Sequence, residues 1–256
     1  MNHVGLFEGI GGFMLAARWM NWNTTAWVEK DKSCQKVLKK NFPNSIGHAD
    51  IFEFSGTEYR GRIDIVTGGF PCTPFSHAGQ RDGTDDERYL WPEMLRVVTE
   101  IQPRWVVAEN VYGLLTIDRG FTVESICSDL ESAGYERPIV LDTASDAFGL
   151  STMERHIWII SEATSQRRER SQEDKDQDNR NERQFSGANT GIIDRWDIRT
   201  TKFCRVGERV SARLDKGGRE RLKQLGNAVP PYAAYQIFRA IDASMNPPQH
   251  QSIPKR

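Results

Sequence analysis

Short apolar strands alternate with amphipathic helices through the first ninety or so residues, a pattern that a parallel sheet covered by helices on both faces satisfies. His3 to Phe7 reads as a strand, Glu8 to Gly12 as a glycine-rich turn, and Phe13 to Met20 as a helix with Phe13, Ala16, Ala17 and Met20 on one face. Ala26 to Glu29 is a second strand. A helix follows over Lys32 to Asn41, broken at Phe42-Pro43-Asn44, and a short strand near Ile46 ends before Asp50. Ile63 to Thr67 is the next strand. The chain is long enough, at 256 residues, for one large domain or for one domain with a small appendage.

Beyond that point the spacing predicts a helix over Leu90 to Ile101, a strand over Trp105 to Ala108 ending at Glu109-Asn110, and a helix over Phe121 to Ala133 closed by Gly134. Tyr135 to Leu141 and His156 to Ile160 supply two more strands, and Leu222 to Ala240 is again helix-like. Residues 165–184 hold six basic and six acidic side chains and no aliphatic or aromatic one. Such a segment cannot offset its ordering entropy by burial, so it reads as a mobile insert. The division expected is a cofactor-binding and catalytic domain over 1–162, a polar insert with a small, reduced target-recognition region over 163–220, a segment returning to the catalytic domain over 221–245, and a flexible tail over 246–256.

Lys and Arg number 34 against 35 Asp and Glu, so a nucleic-acid surface has to be local. Cys34, Cys72, Cys127 and Cys204 show neither metal-ligand spacing nor a disulfide framework, which suits a reducing cytoplasm and predicts no metal. The sequence has neither an apolar run of membrane-spanning length nor a signal pattern, and the expectation is a soluble, cytoplasmic protein.

Gly9, Gly11 and Gly12, with Ile10 among them, lie between the first strand and its helix, where a tight backbone and a helix N-terminus can approach a cofactor. Glu29 ends the second strand, where a carboxylate can accept from both hydroxyls of a ribose; Asp50 follows the third, placed for an adenine amino group. Each acid alone is ordinarily a solvated strand end. Together the three features favour a nucleoside cofactor, and Gly9-Ile10-Gly11-Gly12 departs from the glycine spacing of dinucleotide sites, so S-adenosylmethionine fits better.

Gly68-Gly69-Phe70-Pro71-Cys72 demands a sharp loop after the fourth strand, an unusual place for a packing cysteine and a fitting one for a nucleophile. Glu109 and Asn110, at the end of the next strand, can share its crevice. A thiolate and a carboxylic acid together suit a pyrimidine: carbon 5 of cytosine becomes nucleophilic once a thiolate adds to carbon 6 and N3 receives a proton or hydrogen bond.

These motifs resemble, in order, those of the cytosine-5 DNA methyltransferase family. Leu6-Phe7-Glu8-Gly9-Ile10-Gly11-Gly12 resembles its cofactor loop, Gly69-Phe70-Pro71-Cys72 with Phe75-Ser76 its nucleophile loop, Glu109-Asn110-Val111 its acid motif, and Gln224-Leu225-Gly226-Asn227-Ala228-Val229-Pro230 its closing cofactor motif. The resemblance implies a Rossmann-like α/β methyltransferase fold, S-adenosylmethionine as cofactor, and transfer to carbon 5 of a flipped-out cytosine in double-stranded DNA. Phe7 would pack on the adenine, Glu29 hold the ribose, and Asp50 and Ile51 contact the base, with Pro71, Leu90, Asn227 and Ala228 completing the pocket. Cys72 would attack, Glu109 engage N3, and Asn110 orient the loop. Ser76 to Arg88 would close over the base, with Arg81 and Arg88 on phosphates.

Two departures stand out. Where the family has a glutamine and two arginines, the chain reads Thr152, Glu154 and His156, so Arg155 or His156 is the candidate contact to the cytosine carbonyl, or His156 is an ordinary strand residue. The stretch from Ile160 to Lys223 lacks the usual recognition motif but carries a basic cluster that includes Arg205 and Arg209 with Trp196 and Phe203 interleaved, a candidate phosphate surface. Two alternatives stay open: an RNA cytosine-5 methyltransferase of transfer-RNA type, and a catalytically silent cofactor- or DNA-binding homologue. A cognate restriction endonuclease, a monomeric state and a bacterial or phage origin complete the expectations.

Overall fold

The computed structural model describes residues 1–71, 89–116, 118–144, 155–165 and 228–245. Seven strands form one sheet: β1 (Asn2–Leu6), β2 (Asn23–Val28), β3 (Ile46–His48), β4 (Ile65–Gly68), β5 (Trp105–Val111), β6 (Ile139–Ala144) and β7 (Arg155–Glu162). Their order across the sheet is β3-β2-β1-β4-β5-β7-β6. The pairings among β1 to β5 are parallel, whereas β7 runs antiparallel to both β5 and β6. Parallel neighbours end at the same edge, so the loops leaving β1, β2, β3, β4 and β5 converge there, at the customary ligand edge of such a sheet.

Helices α1 (Gly12–Trp19), α2 (Lys32–Asn41), α3 (Trp91–Ile101), α4 (Gly113–Thr116), α5 (Phe121–Ser132) and α6 (Pro231–Met245) cover the sheet. One core face gathers Val4, Leu6, Val66 and Val106 with Met94, Val97 and Val98 of α3 and Ile126 of α5. The other gathers Ile65, Val107 and Trp158 with Phe13 of α1 and Ile237 and Phe238 of α6. Phe238 joins the ends of the chain: it stacks on Phe13 at 6.3 Å and on Trp22 at 4.7 Å between ring centroids. Asp31 caps α2, accepting from the Ser33 and Cys34 amides.

Several boundaries differ from the sequence reading. Phe7 adopts a left-handed φ of 55° and so leaves β1. Strand β5 continues through Glu109 and Asn110 because β7 pairs with them, Glu109 opposite Trp158 and Asn110 opposite Ile157. The strand expected from Tyr135 begins at Ile139: Pro138 has no N–H for a ladder, and Tyr135 makes only an isolated bridge to Ala163. Helix α6 starts at Pro231, where proline is favoured in a first turn, and runs past Ala240 to Met245. The charged insert beyond residue 165 and the tail from Asn246 lie outside the described residues.

Candidate active site

The turn after β1 is held by backbone geometry before any ligand is considered. Gly9 and Gly11 take φ of 55° and 95°, and the Gly11 amide donates to the Glu8 carbonyl at 2.8 Å. A Cβ on Gly12 would lie 2.2 Å from the Val229 carbonyl oxygen. The bare backbone there lets the segment before α6, including half-buried Ala228, dock against the turn.

Glu29 reaches across from β2. One carboxylate oxygen accepts the Gly9 amide at 2.7 Å and the other the Asp31 amide at 2.7 Å. Burial pushes this carboxyl up from its ordinary range, and those amides oppose the rise. Each oxygen keeps a further lone pair, so the hydroxyls of a ribose remain compatible with this arrangement. Asp50 is half-buried after β3, accepting the Phe52 amide at 3.1 Å with the Lys30 ammonium 3.8 Å away. Ile51 is buried beside it, and its carbonyl accepts from Arg96 at 2.7 Å. Phe7 and Leu90 are both partly buried against the first core face.

A second group forms where β4, β5 and β7 meet. The Asn110 side-chain amide donates to the Phe70 carbonyl at 2.8 Å, and its oxygen accepts the Val111 amide at 2.9 Å. Phe70 is buried against Tyr89 and Trp91, while Pro71 is exposed. Glu109, 8% exposed, packs on Gly69, whose Cβ would sit 3.2 Å from one carboxylate oxygen. Its other oxygen lies 2.6 Å from Nδ1 of His156, itself 8% exposed. One proton between that nitrogen and that oxygen satisfies both groups, whichever atom holds it.

Alternation along β7 separates the two residues considered for the cytosine carbonyl. His156 joins Glu109, whereas Arg155 pairs with Asp142 and stacks on Tyr112 at 3.8 Å, so it is not brought to that group. Cys72, Ser76, Arg81, Arg88, Thr152, Glu154, Arg205, Arg209 and Asn227 lie outside the described residues. Among the described residues no helix is long and apolar enough to cross a membrane.

Sequence reasoning missed Glu8. It is 2% exposed, and its side chain lies over β1, where a Cβ on Gly5 would fall within bonding range of its carboxylate. Neither carboxylate oxygen has a hydrogen-bond partner among the described residues. Burial drives this carboxyl up to about 8; the Met14 amide opposes the rise and the neighbouring Glu29 adds to it. The signal that could have found it was an acid inside an otherwise apolar and glycine turn, three residues after a glycine in the strand.

Solved structures share this fold. A protein of an Escherichia coli prophage, described as a DNA modification methyltransferase, superposes with a TM-score of 0.54 at 25% identity, covering 65% of this chain and 47% of that one. The S. pombe Dnmt2 methyltransferase does so at 0.53 and 18%, covering 64% and 50%, and at that identity shows the fold alone. The family model for C-5 cytosine-specific DNA methylase matches residues 1–201, and the chain belongs to that family. Among curated relatives, the Type II methyltransferase M.PspPI of Psychrobacter sp. (strain TA137) is 41% identical over 135 residues, 52% of this chain and 32% of that protein. M.NgoMIV of Neisseria gonorrhoeae is 40% identical over 154 residues, 60% and 49% respectively. The matches thus span between about a third and a half of these relatives' length.

Proposed function

We propose that this chain is a DNA (cytosine-5-)-methyltransferase that uses S-adenosylmethionine and works through Cys72. The observation that carries the reading is the convergence of Glu109 and Asn110, on β5, upon Gly69 and Phe70, the residues that lead into Cys72. The segment that leads into Cys72 follows the parallel neighbour of the strand that carries Glu109, and the two share one edge of the sheet.

The residues present fit the cofactor. Gly12 has no room for a side chain, the Gly9 turn is tied to Glu29, and Asp50 and Ile51 lie at the next strand end. Bound there, the cofactor supplies an electrophilic methyl group. Glu29 holds the ribose, Phe7 and Leu90 flank the adenine, and Pro71, Asn227 and Ala228 close the pocket. Gly9, Ile10 and Gly11 shape its floor.

On the substrate side, the Cys72 thiolate adds to carbon 6 of a cytosine rotated out of the duplex, and Glu109 delivers the proton or hydrogen bond that N3 requires. His156 supports Glu109 through Nδ1 and so replaces a fixed positive charge with a group that can give or take a proton. Asn110 fixes the carbonyl two residues before Cys72 and thereby the start of the loop. After methylation at carbon 5, loss of the carbon 5 proton expels the thiolate.

DNA is held, in this reading, by Ser76, Arg81 and Arg88 and by the 163–220 region, with Arg205 and Arg209 on phosphates. The Type II names of the relatives support a cognate restriction endonuclease as partner; the chain acts as a monomer in a bacterial cytoplasm. The test is transfer of a labelled methyl group to duplex DNA and to transfer RNA, followed by bisulfite mapping. Label on DNA cytosines that is lost in Cys72→Ser supports the reading. Label on RNA alone, or transfer that survives the substitution, contradicts it.

A further inference from the structure

Glu8 is an acid that the fold buries and leaves without a hydrogen-bond partner among the described residues, beside the turn where a cationic cofactor is expected to dock. Its carboxyl fills the volume above Gly5, where a Cβ would overlap it, so the absence of a side chain at position 5 is what admits it. The backbone around it is committed: the Glu8 amide donates to the Val28 carbonyl at 3.3 Å, and its carbonyl accepts from Gly11. The first turn of α1 faces the carboxyl through the Met14 amide. From β2 the charged neighbour is Glu29, and no described residue supplies a cation beside Glu8. An acid so placed is uncharged near neutral pH, and a nearby positive charge is what would ionise it.

We propose that Glu8 registers the charge of the bound cofactor: its carboxyl holds a proton before binding and gives it up to solvent when a sulfonium-bearing cofactor docks against the Gly9–Gly12 turn. The inference rests on the proposed cofactor reading. S-adenosylmethionine carries a sulfonium cation; the product, S-adenosylhomocysteine, carries a neutral thioether in its place. The O–H bond of Glu8 breaks, the proton passes to buffer, and the carboxylate remains as counter-charge to the sulfonium. Loss of the methyl group removes that cation, Glu8 regains its proton, and the product loses a partner that the substrate had. Glu8 is therefore a positioning residue that favours the loaded cofactor over the spent one.

Titration calorimetry at pH 7.5 in two buffers of different ionisation enthalpy reads the proton directly. The wild type is expected to release about half a proton on binding S-adenosylmethionine and clearly less on binding S-adenosylhomocysteine. From pH 6 to pH 9 its preference for the former should rise about tenfold. Glu8→Gln keeps the shape and removes the titration, so release falls to the level seen with the product and the preference becomes flat with pH. The wild-type comparison alone is decisive if that variant does not fold. Equal release with both cofactors overturns the proposal, as does release that survives Glu8→Gln, which would assign the proton to Glu29. Failure of S-adenosylmethionine to bind at all sinks the cofactor reading and this proposal with it; binding without Glu8-dependent release sinks this proposal only.

Discussion

Two buried acids lie at the same edge of the sheet and are treated in opposite ways. Glu109 on β5 is met by the His156 ring at 2.6 Å, whereas the side chain of Glu8 lies over Gly5 and its oxygens have no hydrogen-bond partner among the described residues. A buried carboxyl with a partner is prearranged for one chemical task, and one without a partner is held in its neutral form until something charged arrives. The surroundings of Glu109 are therefore set by the fold alone, whereas those of Glu8 leave a buried carboxyl without a countercharge among the described residues.

The largest expected effect breaks the paired acid. Glu109→Gln should lower the methyl-transfer rate by roughly 10²–10⁴-fold with cofactor affinity retained, measured by single-turnover transfer and equilibrium binding. An unchanged rate would remove the acid role.

Breaking the unpaired acid acts on stability. Folded Glu8 keeps its proton up to about pH 8, whereas an unfolded chain loses it near the ordinary carboxyl value of 4.5, so unfolding releases a proton between those limits. Stability therefore falls as pH rises through that window, by something on the order of 5 kcal/mol, and levels off above it. Glu8→Gln should flatten most of that slope in denaturant melts between pH 5 and 8.5. A residual slope of the same sign is expected from Glu29, whose carboxyl is also raised by burial. Melts that run parallel in wild type and variant would contradict the assignment.

Gly12→Ala tests how tightly the cofactor end is closed. Its Cβ would meet a backbone carbonyl, which cannot rotate away as a side chain could, so the Val229 segment must part from α1. A loss of about 1–3 kcal/mol and weaker cofactor binding are expected. Arg155→Ala is the smallest: its ion pair with Asp142 is exposed, so transfer rates should change by no more than about threefold. A large loss there would return Arg155 to the catalytic group.

Much of the frame was legible because it rests on spacing. The Lys32–Asn41 helix, the glycine turn and the strand carrying Glu109 all follow from periodicity and breakers, and the structure has them. Strand direction was not legible: β7 has the same apolar run as a parallel strand, and only its pairing with β5 shows it antiparallel. The His156–Glu109 contact escaped for the same reason, since it depends on register between strands 47 residues apart. Glu8 escaped because nothing in a linear sequence says that a side chain folds back over Gly5. The reading of Cys72 as nucleophile falls on a residue outside the described ones and rests on the loop that leads into it.

Covalent trapping on duplex DNA containing 5-fluorocytosine tests that central reading most directly, because fluorine at carbon 5 prevents the proton loss that frees the enzyme. With S-adenosylmethionine present, a denaturation-resistant protein–DNA complex should form, with Cys72 as the linked residue in peptide mapping and no complex in Cys72→Ser. Absence of a complex from active wild-type protein, or attachment at any other residue, would contradict the account.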